Sequence, residues 1–142
     1  MTKIELIYHG LVVSKKNSRV AGRNPRTGRQ YVAMNARARN NQNDMVTVFR
    51  NQLSIGLDAS PMIVDPCKIS IKLYEPNWQL RDIDNQATSI LDALVAAKVI
   101  KNDDVRHVQK LNVTMAGVDK DDSRAEITIE INHEITTEKN ND

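Results

Sequence analysis

Little in this chain suits it to redox or covalent chemistry. One cysteine, Cys67, stands among 142 residues, so neither an intrachain disulfide nor a cysteine pair for a metal can form. Its apolar, alternating neighbourhood predicts a buried strand residue instead. Aromatic residues make up only 4%, so the core must rest on Ile, Leu, Val, Met and Ala. No apolar run approaches the roughly 20 residues of a membrane span. The opening Met1-Thr2-Lys3-Ile4-Glu5 does not read as a signal peptide. These absences lead to the expectation of a soluble, cytoplasmic protein with no membrane partner. Other familiar sites fail as well. There is no glycine-rich phosphate loop, and His9, His107 and His133 lack zinc spacing. Ala87 and Ala93 stand where a calcium loop begun at Asp82 would need glycine and glutamate. Ser89 has no nucleophile-elbow surroundings.

What the chain does have is charge, unevenly placed. Residues 1–50 hold ten Lys or Arg against Glu5 and Asp44, a balance of +8, and the net charge of +2 leaves −6 for the remainder. A cationic front half and an acidic back half suit a protein that grips a polyanion and applies carboxylates to it. A merely solvated basic surface would give the same count.

The apolar spacing predicts a single α+β domain, a mixed β-sheet with two main helices packed on it, over residues 1–132. Ile4, Leu6 and Tyr8 alternate as a strand, and Asn24-Pro25-Arg26-Thr27-Gly28 is a turn within a short basic hairpin or arm. Lys15, Lys16, Asn17, Arg19, Arg23, Arg26 and Arg29 belong to that region, and phosphate is their natural partner. Ala38, Met45, Val48, Phe49 and Leu53 predict a helix over about 35–53. Cys67, Ile69, Ile71 and Leu73 predict a strand, as do Val108 to Met115, imperfectly, and Ala125 to Ile131. Residues 133–142 read as a frayed polar tail.

Arg81-Asp82-Ile83-Asp84-Asn85 opens a second helix, whose apolar stripe is Ala87, Ile90, Leu91 and Leu94. Asp103-Asp104 follows in a loop after Val99-Ile100. Carboxylates from two places, brought together, would form an all-oxygen site of the kind Mg²⁺ prefers. Such an ion can polarise a phosphodiester and lower the pKa of a bound water. Arg81 would offset charge developing on the phosphoryl group. The plainer alternative is that Asp84 caps the helix while Asp103 and Asp104 decorate a surface turn.

At these residues the chain resembles the RusA family of Holliday-junction resolvases, small phage and prophage endonucleases. The family pattern is Arg-Asp-x-Asp-Asn entering a helix that ends in Asp-Ala-Leu, then an Asp-Asp pair before the next strand. Arg81 to Asn85, Asp92-Ala93-Leu94 and Asp103-Asp104 match that order with slightly different spacing. Lys16-Asn17-Ser18-Arg19 and Gly28-Arg29-Gln30-Tyr31 look like the family's basic N-terminal region, and the likeness runs to about Ile131. The resemblance implies a RusA-like fold and a homodimer that binds four-way junction DNA. It implies paired, symmetric nicks made with Mg²⁺ in DNA recombination and repair. Asp82, Asp84 and Asp104 would be the metal-binding catalytic acids, with Arg81 beside them and Asp103 and Asn85 adjacent. Thr88 departs from the pattern, since the family usually places a lysine there. The alternative is therefore a non-catalytic branched-DNA-binding protein of the same fold.

Overall fold

The computed structural model describes residues 3–14, 19–34, 36–54 and 62–131. Lys15, Lys16, Asn17 and the tail over 133–142 lie outside them. Eight elements follow in order: β1 (Lys3–His9), β2 (Arg19–Arg23), β3 (Gln30–Met34), α1 (Ala36–Ser54), β4 (Cys67–Glu75), α2 (Ile83–Ala96), β5 (Val108–Val118) and β6 (Arg124–Ile131). Four strands form one mixed sheet in the order β1-β6-β4-β5, and β2 and β3 form a separate antiparallel ribbon. The α+β expectation, with one mixed sheet and two helices, is what the chain adopts.

Strand alternation builds the core. Cys67, Ile69, Ile71 and Leu73 of β4 turn inward beside Ala125, Ile127 and Ile129 of β6 and Leu6 and Tyr8 of β1. Met45 and Phe49 of α1 and Ile90, Ala93 and Leu94 of α2 complete the same cluster. Each large apolar side chain fully buried in this way contributes roughly 1.5–3 kcal/mol. Burial also pushes the Cys67 thiol up to about 11, so almost none of it is the reactive thiolate near neutral pH.

The imperfect alternation of β5 has a local cause. Its parallel pairing with β4 shifts register between Cys67 and Lys68 and again between Leu73 and Tyr74. Gln109 and Ala116 are the additional residues, and each extra residue reverses which face the next side chain meets. Between the shifts, Leu111, Val113 and Met115 share a face with Ile69, Ile71 and Leu73.

The two edges of the sheet differ. On β1 the Gln52 amide of α1 accepts from Ile7 N at 2.9 Å and donates to Ile7 O at 2.6 Å. It thereby satisfies backbone groups that another strand would otherwise seek. β5 has no strand on its outer side among the described residues. It carries a single charge, Lys110, and no proline, and Leu111 and Val118 are exposed there.

Helix α2 stops without a glycine. Val99 N donates to Leu94 O at 2.9 Å and Lys98 N to Val95 O at 3.0 Å, the paired bonds of a Schellman ending. Lys98 takes the left-handed conformation, φ 60°, a position that usually favours glycine. Buried Leu94 and Val99 close the turn. The chain then pairs Ile100 with Ile63 and runs into β5.

Candidate active site

The acidic motif sits where β4 gives way to α2. Asp82 is the N-cap residue in extended conformation, φ −86° and ψ 119°, yet its side chain makes no capping bond. Its Oδ2 instead accepts from Asn85 Nδ2 at 3.2 Å, and Asn85 is buried. Asp84 is exposed in the first turn, so it is not the cap. Both carboxylates stand at the positive end of the helix dipole. Thr88 turns its hydroxyl back to donate to Asp84 O at 2.9 Å.

Arg81 is engaged by the segment that precedes the helix. Its guanidinium donates to Asn77 Oδ1 at 3.1 Å, Gln79 Oε1 at 3.3 Å and Glu75 Oε2 at 3.4 Å. These bonds make it a brace of the 75–81 segment, and Arg81 also lines the cleft that Asp82 borders.

Asp104 is held firmly. Its Oδ2 accepts from Arg106 Nη2 at 2.8 Å and from Asn102 Nδ2 at 3.3 Å, and its Oδ1 from Arg106 N at 3.0 Å. His107 Nδ1 lies 2.8 Å from the same Oδ1. A carboxylate can only accept, so this ring nitrogen carries the proton. The bonds from Arg106 first, then His107, hold the Asp104 carboxyl well below the usual carboxylate range. His107 is itself anchored, because its carbonyl accepts from Cys67 N at 2.8 Å. Asp103 is exposed, its N–H bonded to Asn102 Oδ1 at 2.8 Å.

The two acidic groups do not meet within one chain. Asp82 and Asp84 lie at the N-terminal end of α2 and Asp104 beyond its C-terminal end, and 14 residues of helix span about 20 Å. The reason is topological. A helix linking two parallel strands must return the chain to the start of the first strand, so β5 and the loop before it begin beside Cys67 while Asp82 follows Glu75. Among the described residues no three His, Cys, Asp or Glu side chains are grouped to hold a metal ion. The donors at each end nevertheless fit a hard cation, since both offer exposed or half-buried carboxylate oxygen.

The β2–β3 ribbon exposes Arg23, Arg26 and Arg29. Its turn is fixed by Asn24 N donating to Arg29 O and Gly28 N donating to Asn24 O, both at 2.8 Å. Arg19 opens β2. Sequence reasoning did not single out Arg106 as a partner of Asp104. An arginine two residues after an aspartate in a loop was the available signal. Nor did it single out Arg37, which lines a cleft of about 200 Å³ together with Val13, Leu80, Arg81 and Asp82. No protein-family model matches the chain, and no curated protein matches it either.

Proposed function

We propose that this chain is a Mg²⁺-dependent endodeoxyribonuclease that resolves four-way DNA junctions in the cytoplasm, acting as a homodimer. The observation that carries this reading is the pair Asp82 and Asp84. They stand exposed at a helix N-terminus beside arginine-lined space, with Asp82 in a cap position yet free of any capping bond. Their pattern resembles that of the RusA resolvases. No helix of the described residues is long and apolar enough to cross a membrane.

Pairing of two copies supplies the acid that one copy lacks. Two β5 edges joined antiparallel about Val113 bring Val108 of one copy opposite Val118 of the other. The loop bearing Asp104 then reaches the end of the partner's sheet from which α2 starts, on the same face. A strand or two, each about 4.8 Å apart, separates it there from the partner's Asp82 and Asp84. Asp82 and Asp84 of one copy and Asp104 of the other would hold the ion. Bound there, Mg²⁺ would polarise the scissile phosphodiester and acidify an attacking water. Asn85 orients Asp82, while Arg106 and His107 keep Asp104 ionised and in place. A two-fold dimer places two equivalent centres against two equivalent strands, as symmetric nicking requires.

A labelled mobile four-way junction and a matched linear duplex, each with Mg²⁺ or EDTA, test the reading. Symmetric nicks in the junction alone, abolished by EDTA, are expected. One structural feature favours the second reading, a junction-binding protein without cleavage. Thr88 and Arg81 both turn their polar atoms back into the protein, leaving no lysine or arginine of this motif to meet the phosphoryl charge. Junction binding without any nick would establish that reading.

The basic ribbon gives a separate expectation. Replacing Arg23, Arg26 and Arg29 by glutamine removes three phosphate contacts. The slope of log affinity against log salt should then flatten by roughly 2–3. Affinity measured from 50 to 200 mM salt checks this, and an unchanged slope places the ribbon off the DNA.

A further inference from the structure

The segment between β4 and α2 divides its side chains. Its polar groups Asn77 and Gln79 gather on Arg81, which also approaches their carbonyls at 3.5 Å. Gln79 N donates to Asn77 Oδ1 at 3.0 Å, closing a small turn. Its apolar groups turn outward. Trp78 is 77% exposed and Leu80 98% exposed, and Trp78 is the single tryptophan of the chain. Leaving an indole and an isobutyl group in water on a braced loop, with Asp82 directly following, calls for an apolar partner that comes and goes.

We infer that Trp78 and Leu80 form a wedge that stacks on bases unpaired or unstacked at a DNA branch point, seating the adjoining phosphodiester at Asp82 and Asp84. This rests on the junction-nuclease reading above. The chemistry favours bases over other occupants. The faces of bases are the apolar part of nucleic acid, and any base can stack on an indole. Bases at a branch are already the least costly to unstack. An aliphatic side chain beside the aromatic one is the usual means of prying a base step open. Leu80 and Arg81 line the same cleft as Arg37 and Asp82, so base and phosphate contacts fall side by side. The wedge selects branched DNA by structure, because intact duplex offers no base face to it.

A single tryptophan lets the contact be read directly. The whole chain is titrated with four-way junction or matched duplex in EDTA, where no cleavage occurs. Trp78 emission and the anisotropy of a fluorophore on one arm end are followed together. Emission should fall with the junction at the midpoint of binding and stay nearly constant with duplex. Trp78→Ala should weaken junction binding by about 5- to 150-fold, the range of one lost base stack. Duplex binding should be unchanged, and Trp78→Phe should recover most of the loss. Because Trp78 is exposed, the variants should keep the wild-type thermal midpoint. Junction binding with constant emission, unaltered in Trp78→Ala, would overturn the wedge while leaving the nuclease reading intact. Absence of junction binding would overturn both. A Trp78→Ala protein that sediments as a smaller species would overturn the wedge by assigning the indole to contact between copies.

Discussion

An Asp82→Asn protein and an Asp104→Asn protein, each unable to nick a junction, regain nicking when mixed. Each substitution removes a carboxylate oxygen from every centre of its own dimer. The loss expected is roughly 10²- to 10⁴-fold, since the metal's charge stabilisation amounts to several kcal/mol. Exchange of subunits makes about half of the dimers mixed. When the acids of a centre come from two chains, a mixed dimer gathers both substitutions in one centre and leaves the other whole. The mixture therefore has about a quarter of the wild-type centres, and each mixed dimer cuts one strand of the symmetric pair. Denaturing electrophoresis of a junction labelled on both continuous strands reads this as single nicks without paired ones. If each centre belonged to one chain, every centre in the mixture would stay damaged and no nicking would return. Helix α2 is the reason to expect complementation, because it holds the two acidic groups a helix length apart.

The second large effect concerns the bare edge. Leu111→Lys places a second positive charge on β5, next to Lys110, at a position already 41% exposed. The monomer should fold normally, because little of that side chain contributes to the core. In the antiparallel pair about Val113 each new lysine falls opposite Met115 of the other copy and is set against its apolar side chain. An unpaired charge stripped of water against an apolar side chain at an interface costs several kcal/mol. The dimer dissociation constant should therefore rise by roughly 10² or more, and nicking should be lost with it. Sedimentation velocity at micromolar protein reads the first effect and the junction assay the second. Glu5→Lys, on the opposite edge, is the control and should remain dimeric and active. A Leu111→Lys protein that stays dimeric would remove β5 as the contact.

The strands were legible wherever one face is buried. Ile69, Ile71 and Leu73, and Ala125, Ile127 and Ile129, alternate because the helices cover one side of the sheet and polar side chains occupy the other. β5 was harder to read because two register shifts break its period, a feature of pairing that no single strand records. The end of α2 was hidden for a related reason. The left-handed residue is Lys98, so no glycine signals the turn, and Leu94 with Val99 performs the closure. Within the site, the type and order of Asp82, Asp84 and Asp104 were readable, and their placement was not. Whether two loops meet depends on whether the helix between them starts or ends at each loop. That follows only once β4 and β5 are known to be parallel. Arg81 shows the same limit, since its position beside the aspartates said nothing of Glu75, Asn77 and Gln79, which turn it inward.

The Gln52 side chain has a consequence for how many copies can join. A sheet with two accepting edges has no reason to stop at two chains, because each addition leaves another edge for the next, and growth runs on as a ladder or fibre. One amide, bonded to both the N–H and the C=O of Ile7, acts as a terminator on β1. With one side terminated, the proposed self-pairing of the other would close the stoichiometry at a pair. The same glutamine that finishes a hydrogen-bond ledger in the single chain would thereby set a counting rule for the proposed assembly.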